Sequence, residues 1–296
     1  MPTATDAAAE LVPVERRGPV AFLTMNRPDA ANAQNSQMLY DIDAALDAAD
    51  ADDDVRVVVL AGAGKHWSAG HDLKEILSGA DEWARLRDTP EGKLRHEQVM
   101  YWDKCLRLRD FRKPTIAAVH GAVAAAGMML ACMCDLIVAA DDTKFSNPVA
   151  RMTGVGVEIL VEPWELGPRK AKEFLWTAEK LDAETAERFG MVNRVVPAGE
   201  LDAAVRELAE NIALVPPITA EAIKDVINHM VDGQGQRESW QYHFMVHQFV
   251  SNSATALNAT EARKQGGMNA VKQEQAGGGS AAGPERPGRQ GQERQA

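Results

Sequence analysis

Short apolar runs rich in valine and isoleucine recur along the chain, and the stretches between them carry apolar residues at helical spacing. The runs Val20–Met25, Val55–Ala61, Thr115–Val119, Leu136–Ala140 and Val192–Val196 predict buried strands. Met38, Leu39, Ile42, Ala45 and Leu46 fall on one face of a predicted helix, with Asn35 or Ser36 as its N-cap. Asp81–Leu108 mixes charges with apolar residues at helical spacing and holds one proline, Pro90. Pro168–Thr177 and Ala183–Phe189 predict further helices, the second ended by Gly190. Beyond Pro197 the pattern is helical throughout: Leu201–Val215, Thr219–Met230 and Glu238–Val250. Strands alternating with helices, followed by helices alone, predict an α/β body with an α-helical C-terminal part. From about Gln273 no aromatic or branched aliphatic residue remains, so 273–296 is expected to be a disordered tail. No internal sequence repeat is apparent.

Composition narrows the function classes. A chain of 296 residues buries roughly three quarters of its unfolded surface, enough to fold without a metal or disulfide. With 45% hydrophobic and 25% charged residues it reads as an ordinary soluble globular protein. The net charge of −11 argues against a nucleic-acid partner, which favours a basic stripe. An anionic small molecule stays compatible, because a few local Lys and Arg residues can receive phosphates. Cys105, Cys132 and Cys134 form no framework, which implies reduced, packed thiols and a cytoplasmic location. The N-terminus lacks the pattern of a signal peptide. The apolar stretch Thr115–Ala140 is broken by His120, Gly121 and Asp135, so no membrane insertion is expected.

Three segments carry candidate chemistry. Met25–Ala33 is a strand end turning into a helix, built from ordinary turn residues. Gly62–Lys74 follows a strand and runs into a helical pattern. Its Gly64-Lys65 does not complete a phosphate loop, since position 59 is Val and position 66 is His. A glycine before a helix start does leave N–H groups free to face a developing oxyanion. Ile116–Asp135 is a strand, a glycine, a run of small residues and an apolar helix; small side chains allow a ligand or another backbone to approach closely. Each segment alone is also what a packed core produces.

In this order and at these separations, the three segments resemble the crotonase, or enoyl-CoA hydratase/isomerase, superfamily. The similarity extends through Ala139–Pro148 and Leu175–Val196, roughly from Val14 to Lys272. The resemblance implies a spiral core of repeated ββα units over 14–200, after an N-terminal extension 1–13, with a C-terminal helical trimerisation region over 201–272. It further implies an enzyme of the lyase or isomerase class acting on an acyl-CoA thioester, as in fatty acid metabolism, and self-association as a homotrimer or hexamer. Coenzyme A would arrive as part of the substrate, with no permanently bound cofactor and no metal. By position, the two N–H donors of the oxyanion hole become His71 and Ala126. Arg27 would line the coenzyme A groove, and Ser68, Ala69, Asp72 and Leu73 would flank the pantetheine arm, with Asp72 holding the loop or capping the helix.

The pattern breaks where hydratases of the family carry two glutamates: those positions here are Met129 and Val149. Neither side chain can activate water or deliver a proton. Glu158 lies further on, in the kind of loop where members with other reactions place a carboxylate. Its apolar neighbours would raise its pKa and suit general-base work; the alternative is an exposed loop glutamate or a helix N-terminal charge. Glu162 and Glu165 are expected as surface or capping charges, with Glu162 in reserve as an acid/base. His243 and His247 have metal-ligand spacing but no third ligand in sequence. Trp102, Trp164, Trp176 and Trp240 are expected at packing or interface positions. The rival to an active enzyme is a catalytically silent acyl-CoA-binding or assembly subunit.

Overall fold

The computed structural model describes residues 10–78 and 86–261. The tail expected from Gln273 onward lies outside these residues.

The chain enters through a hairpin of β1 (Val14–Arg17) and β2 (Val20–Met25). Pairing begins earlier than the expected boundary at 14. Thr24 and Asn26 donate their N–H groups to the Pro13 and Leu11 carbonyls, and Val12 is buried. Residues 11–13 therefore belong to the sheet edge. After a short turn comes α1 (Ser36–Ala51), whose cap is Asn35: its side chain accepts the Met38 N–H at 3.1 Å. β3 (Val57–Gly62) returns parallel to β2. Then follow α2 (Leu73–Ser78), α3 (Pro90–Glu97), a π-helical turn over Gln98–Trp102, and α4 (Asp103–Arg109). The expected helical pattern is continuous from Pro90 to Arg109 with the π-helical turn inside it, while 81–85 lie outside the described residues; Pro90 stands at the start of α3, where its missing N–H costs nothing.

β4 (Thr115–Val119), β5 (Ala122–Ala124), α5 (Ala126–Ala131), β6 (Leu136–Ala140) and β7 (Lys144–Ser146) form the centre. α6 (Glu162–Thr177) is broken at Gly167, where φ is 73° and ψ 159°, just before Pro168. The sequence pattern predicts only its second half. β8 (Leu181–Asp182), α7 (Ala183–Phe189) and β9 (Arg194–Val196) complete the core. Gly190 ends α7 in the left-handed conformation, as expected. The C-terminal helices are α8 (Leu201–Ala213), α9 (Pro217–Gly233) and α10 (Gln236–Ser251).

Six strands form one sheet in the order β1-β2-β3-β4-β6-β9, and β5-β7-β8 form a second, smaller one. From β2 to β9 the large sheet is parallel, which explains the unbroken apolar runs: both faces are covered. Alternation sorts the side chains. Leu23, Met25, Val58, Leu60, Ala117 and Val119 face the main core with α1 and α5. Val20, Phe22, Val57, Val59, Ile116 and Val138 face the other way, where α8 covers them with Val205 and Ala209. The pairs β1–β2, β4–β5 and β6–β7 each lead on to a helix, an α/β spiral of the kind the resemblance implies, with helices at the C-terminal end. α9 stands apart from it. None of its residues is buried, and Ile218, Ile223, Val226, Ile227 and Met230 are exposed. Among the described residues no helix is long and apolar enough to cross a membrane.

Candidate active site

The three segments singled out in the sequence meet at the C-terminal ends of β2, β3 and β4. Asn32 ties the first to the second. Its Oδ1 accepts the Arg27 N–H at 2.8 Å, and its Nδ2 donates to the Ala63 and His66 carbonyls, each at 2.8 Å. Asn32 is fully buried with φ 50°, a conformation Asn tolerates better than most side chains. Ser68 donates its hydroxyl to the Asn32 carbonyl and accepts the Gly70 N–H. The third segment joins by a parallel pairing: Ser68 N–H donates to Ala122 O, and Ala124 N–H donates to Ser68 O at 2.9 Å.

This lacing aims two N–H groups. Gln34 accepts the Asp72 N–H and donates to Gly70 O, so Gln34 is bonded on either side of His71. In a parallel ladder the skipped residue points its own N–H away from the partner. On the other loop, Ala125 takes φ 48° and ψ −115°, and Ala126 opens α5. A non-glycine residue held there stores strain of about 1–3 kcal/mol, a common feature of functional turns. Among the described residues neither the His71 nor the Ala126 N–H donates to a protein acceptor. Gly70 packs between the loops. A Cβ built on it would lie 2.8 Å from Ala124 O and 2.9 Å from Ala126 N.

The other residues implied by resemblance sit around these donors. Arg27 pairs with Asp72 at 2.9 Å and donates to Ala33 O. Asp72 also accepts the Lys74 and Glu75 N–H groups, so it caps α2 as expected. Ala69 is exposed and Leu73 half-buried, open to a ligand arm. Ser68 departs from the expected flanking role: it is fully buried, its hydroxyl is bonded within the loop, and its N–H and carbonyl are paired with Ala122 and Ala124.

Glu158 is no exposed loop glutamate: it is 3% exposed. Met129 lies beside it, its sulfur accepting the Ile159 N–H at 3.4 Å. The Glu158 Oε2 lacks a hydrogen-bond partner and sits 3.6 Å from the equally unpartnered His71 Nε2. Burial, reinforced by the Glu97 charge, pushes Glu158 up to about 7, against the opposing pull of His247 and Arg87. Burial pushes His71 down to about 3, so its imidazole is neutral, stacked on Tyr101 with centroids 3.7 Å apart. The His71 imidazole thus lies between Tyr101, on which it stacks, and the Glu158 carboxylate.

Behind Glu158 lies a second carboxylate that the sequence patterns missed. Glu97 bonds Arg87 at 2.7 Å, accepts from Gln248 and faces the His247 Nε2 at 3.3 Å. Burial favours the neutral acid, but the His247 hydrogen bond and the charges of Arg87, His247 and Lys93 hold Glu97 well below the usual carboxylate range. Two neighbouring carboxyls pushed in opposite directions is the usual arrangement of an acid/base and a fixed anion. Ligand atoms of Glu97, Glu158 and His247 all lie within 4.8 Å of one another. Both Glu97 oxygens are already taken by cationic or amide donors, so the cluster is built as an ion-pair network rather than a metal centre. His243 turns elsewhere, its Nε2 on the Val157 carbonyl at 2.7 Å. The i,i+4 histidines were the visible half of this cluster; Glu97 and Tyr101 carried no local signal.

Glu162 departs from expectation. It is 1% exposed rather than a surface charge, and it accepts from Asn147 at 2.6 Å. Burial likewise lifts Glu165, to about 7. Of the tryptophans, Trp102 and Trp240 are buried in the core, while Trp176 is 75% exposed.

The structure thus sets two free amides at strand–helix turns beside a buried carboxylate. A family model for enoyl-CoA hydratase/isomerase matches residues 15–266, so the chain belongs to that family of lyases and isomerases. It is 43% identical over 244 residues to the putative enoyl-CoA hydratase EchA13 of Mycobacterium tuberculosis, covering 78% of this chain and 77% of that one. The 2,3-dehydroadipyl-CoA hydratase of Escherichia coli is 32% identical over 223 residues, 74% of this chain and 82% of that one. Among solved structures, a probable enoyl-CoA hydratase from Mycobacterium smegmatis superposes with a TM-score of 0.77 at 45% identity, over 84% and 97% of the two chains. An enoyl-CoA hydratase/isomerase from Xanthobacter autotrophicus Py2 gives 0.81 at 30%, over 90% and 98%.

Proposed function

We propose that this enzyme enolises an enoyl-CoA thioester and shifts a proton along its acyl chain, with Glu158 as the single acid/base. The thioester oxygen accepts from the His71 and Ala126 N–H groups, each worth a few kcal/mol to an oxyanion that forms only on reaction. Ionised Glu158 removes a Cα proton from a 3-enoyl thioester, and the electron pair moves onto the carbonyl as an enolate. The carboxylic acid then returns the proton at Cγ, leaving the 2-enoyl isomer. A carboxyl poised near 7 serves both halves at neutral pH. Arg27, Asp72, Ala69 and Leu73 line the entry for coenzyme A, which arrives as part of the substrate, and buried Ser68 holds the loop beneath them.

The observation that carries this reading is the buried, unpartnered Glu158 Oε2, with Met129 bonded to the next residue's N–H. Water addition through two carboxylates needs a second free one. Met129 and Val149 supply none, and Glu97 is 2% exposed with both oxygens engaged. The hydratase names of the relatives favour a second reading, hydration with Glu158 alone. Mass spectrometry and ultraviolet spectra of products from 3-hexenoyl-CoA and crotonyl-CoA separate them. Isomerisation of the first with little hydration of the second supports the proton shift. Efficient crotonyl-CoA hydration refutes it, and binding without conversion of either points to a silent acyl-CoA-binding or assembly subunit. Glu158→Gln should lower turnover by at least ~10²-fold. The bare apolar stripe on α9, with Tyr242, Met245 and Phe249 exposed on α10, supports assembly into a homotrimer or hexamer.

A further inference from the structure

We propose that His247, clamped between the Glu97 carboxylate and the Gly156 carbonyl, is a positioning residue that holds a positive charge against Glu158 and thereby sets the pH range in which Glu158 is a base. The inference rests on Glu158 being the acid/base of the reaction.

The clamp is geometric. His247 reaches back from α10 in the C-terminal helical region, and its Nδ1 lies 3.1 Å from the Gly156 carbonyl. A carbonyl oxygen only accepts, so Nδ1 carries a proton. Its Nε2 lies 3.3 Å from the Glu97 Oε2. Glu97 is itself fixed by Arg87 and Gln248, and so stays ionised. An imidazole whose two nitrogens both face oxygen acceptors is held as the imidazolium. Burial works against that charge, but the Glu97 hydrogen bond and the charges of Glu158 and Glu97 lift His247 above its ordinary value. The same loop that fixes Nδ1 carries Glu158 two residues on, so one clamp orients both partners.

Other groups facing Glu158 do not replace His247. On the substrate side, His71 is neutral. Arg87 is bonded to Glu97 and His96, and Lys93 lies against Glu97 on α3. Tyr101 and Cys105, from the π-helical turn and α4, are both held neutral by burial. His243, one turn before His247, is bound to Val157 O and pushed down to about 4. Glu97 repels the Glu158 anion, and His247 is a cation within 4.8 Å of both carboxylates.

The test follows deuterium exchange at Cα of butyryl-CoA in D2O as a function of pD, for wild type, His247→Gln, His247→Lys and Glu158→Gln. Glutamine keeps a donor toward Glu97 but removes the charge. The acidic limb of the wild-type profile should move upward by roughly 1–3 units in His247→Gln, the usual effect of an opposite charge at 4–6 Å. His247→Lys, which keeps the charge, should bring the limb back toward wild type. An unmoved limb in His247→Gln, with exchange abolished in Glu158→Gln, overturns the role of His247 and leaves Glu158 intact. Exchange that survives in Glu158→Gln overturns both. If His247→Gln does not fold, NMR of the wild-type imidazole decides: an imidazolium at pH 7 supports the clamp, and a neutral ring refutes it.

Discussion

Gly70→Ala places a methyl group at the junction of the two oxyanion loops. Gly70 has φ +85°, so any side chain costs about 1–2 kcal/mol in backbone strain alone. The added carbon would sit 2.8 Å from Ala124 O, 2.9 Å from Ala126 N and 3.3 Å from Gly127 N, all backbone atoms with little room to yield. Overpacking of this kind costs roughly another 1–3 kcal/mol. Together these, about 2–5 kcal/mol, lower the melting temperature by about 4–20 °C at 2–4 °C per kcal/mol. The methyl also covers the Ala126 N–H, and losing one oxyanion donor lowers kcat by about 10²–10³-fold. Gly18→Ala is the control: φ is +61°, no atom lies within 4 Å, and the site is the β1–β2 turn. It should show the strain without the clash, a fall of a few degrees with full activity. Steady-state rates measured well below both melting points separate the effects. A Gly70→Ala enzyme that is less stable but turns over at the wild-type rate would refute Ala126 as a donor.

Three further outcomes follow. Asn32→Ala orphans the Arg27 N–H and the Ala63 and His66 carbonyls, at about 1–3 kcal/mol for each group left unpaired; urea titration should show a large loss of stability. Burial raises the Glu158 pKa from 4.5 for a free glutamate side chain to about 7 in the fold, so it stabilises the fold below about pH 4.5 and that contribution is lost as pH rises through 7. Glu158→Gln should therefore melt higher than wild type at pH 8, with the gap closing toward pH 4.5. Ile227→Asp, on the bare face of α9, should shift sedimentation toward the monomer while leaving the far-ultraviolet circular dichroism intact.

The parallel strands were legible because each is a continuous apolar run covered on both faces. The turns that leave the His71 and Ala126 amides free were legible too, since a free amide depends on a local turn: glycine and small residues around Gly70 and Ala126 are visible in one stretch of chain. The short strands β5, β7 and β8 were not, because two or three residues form a strand only when a distant partner completes the ladder. The same holds for the acid/base cluster. Glu97, Glu158 and His247 come from α3, a loop and α10, and no spacing within one element brings them together. Glu162 was expected as a surface or capping charge because nothing adjacent in sequence marks its burial; its partner Asn147 comes from another segment.

A crystal structure with hexanoyl-CoA bound tests the central claim most directly. The thioester oxygen should lie about 3 Å from both the His71 and Ala126 amide nitrogens, with the Glu158 carboxylate facing Cα. A thioester oxygen bound away from either amide, or another carboxylate lying nearer to Cα than Glu158, would contradict the account.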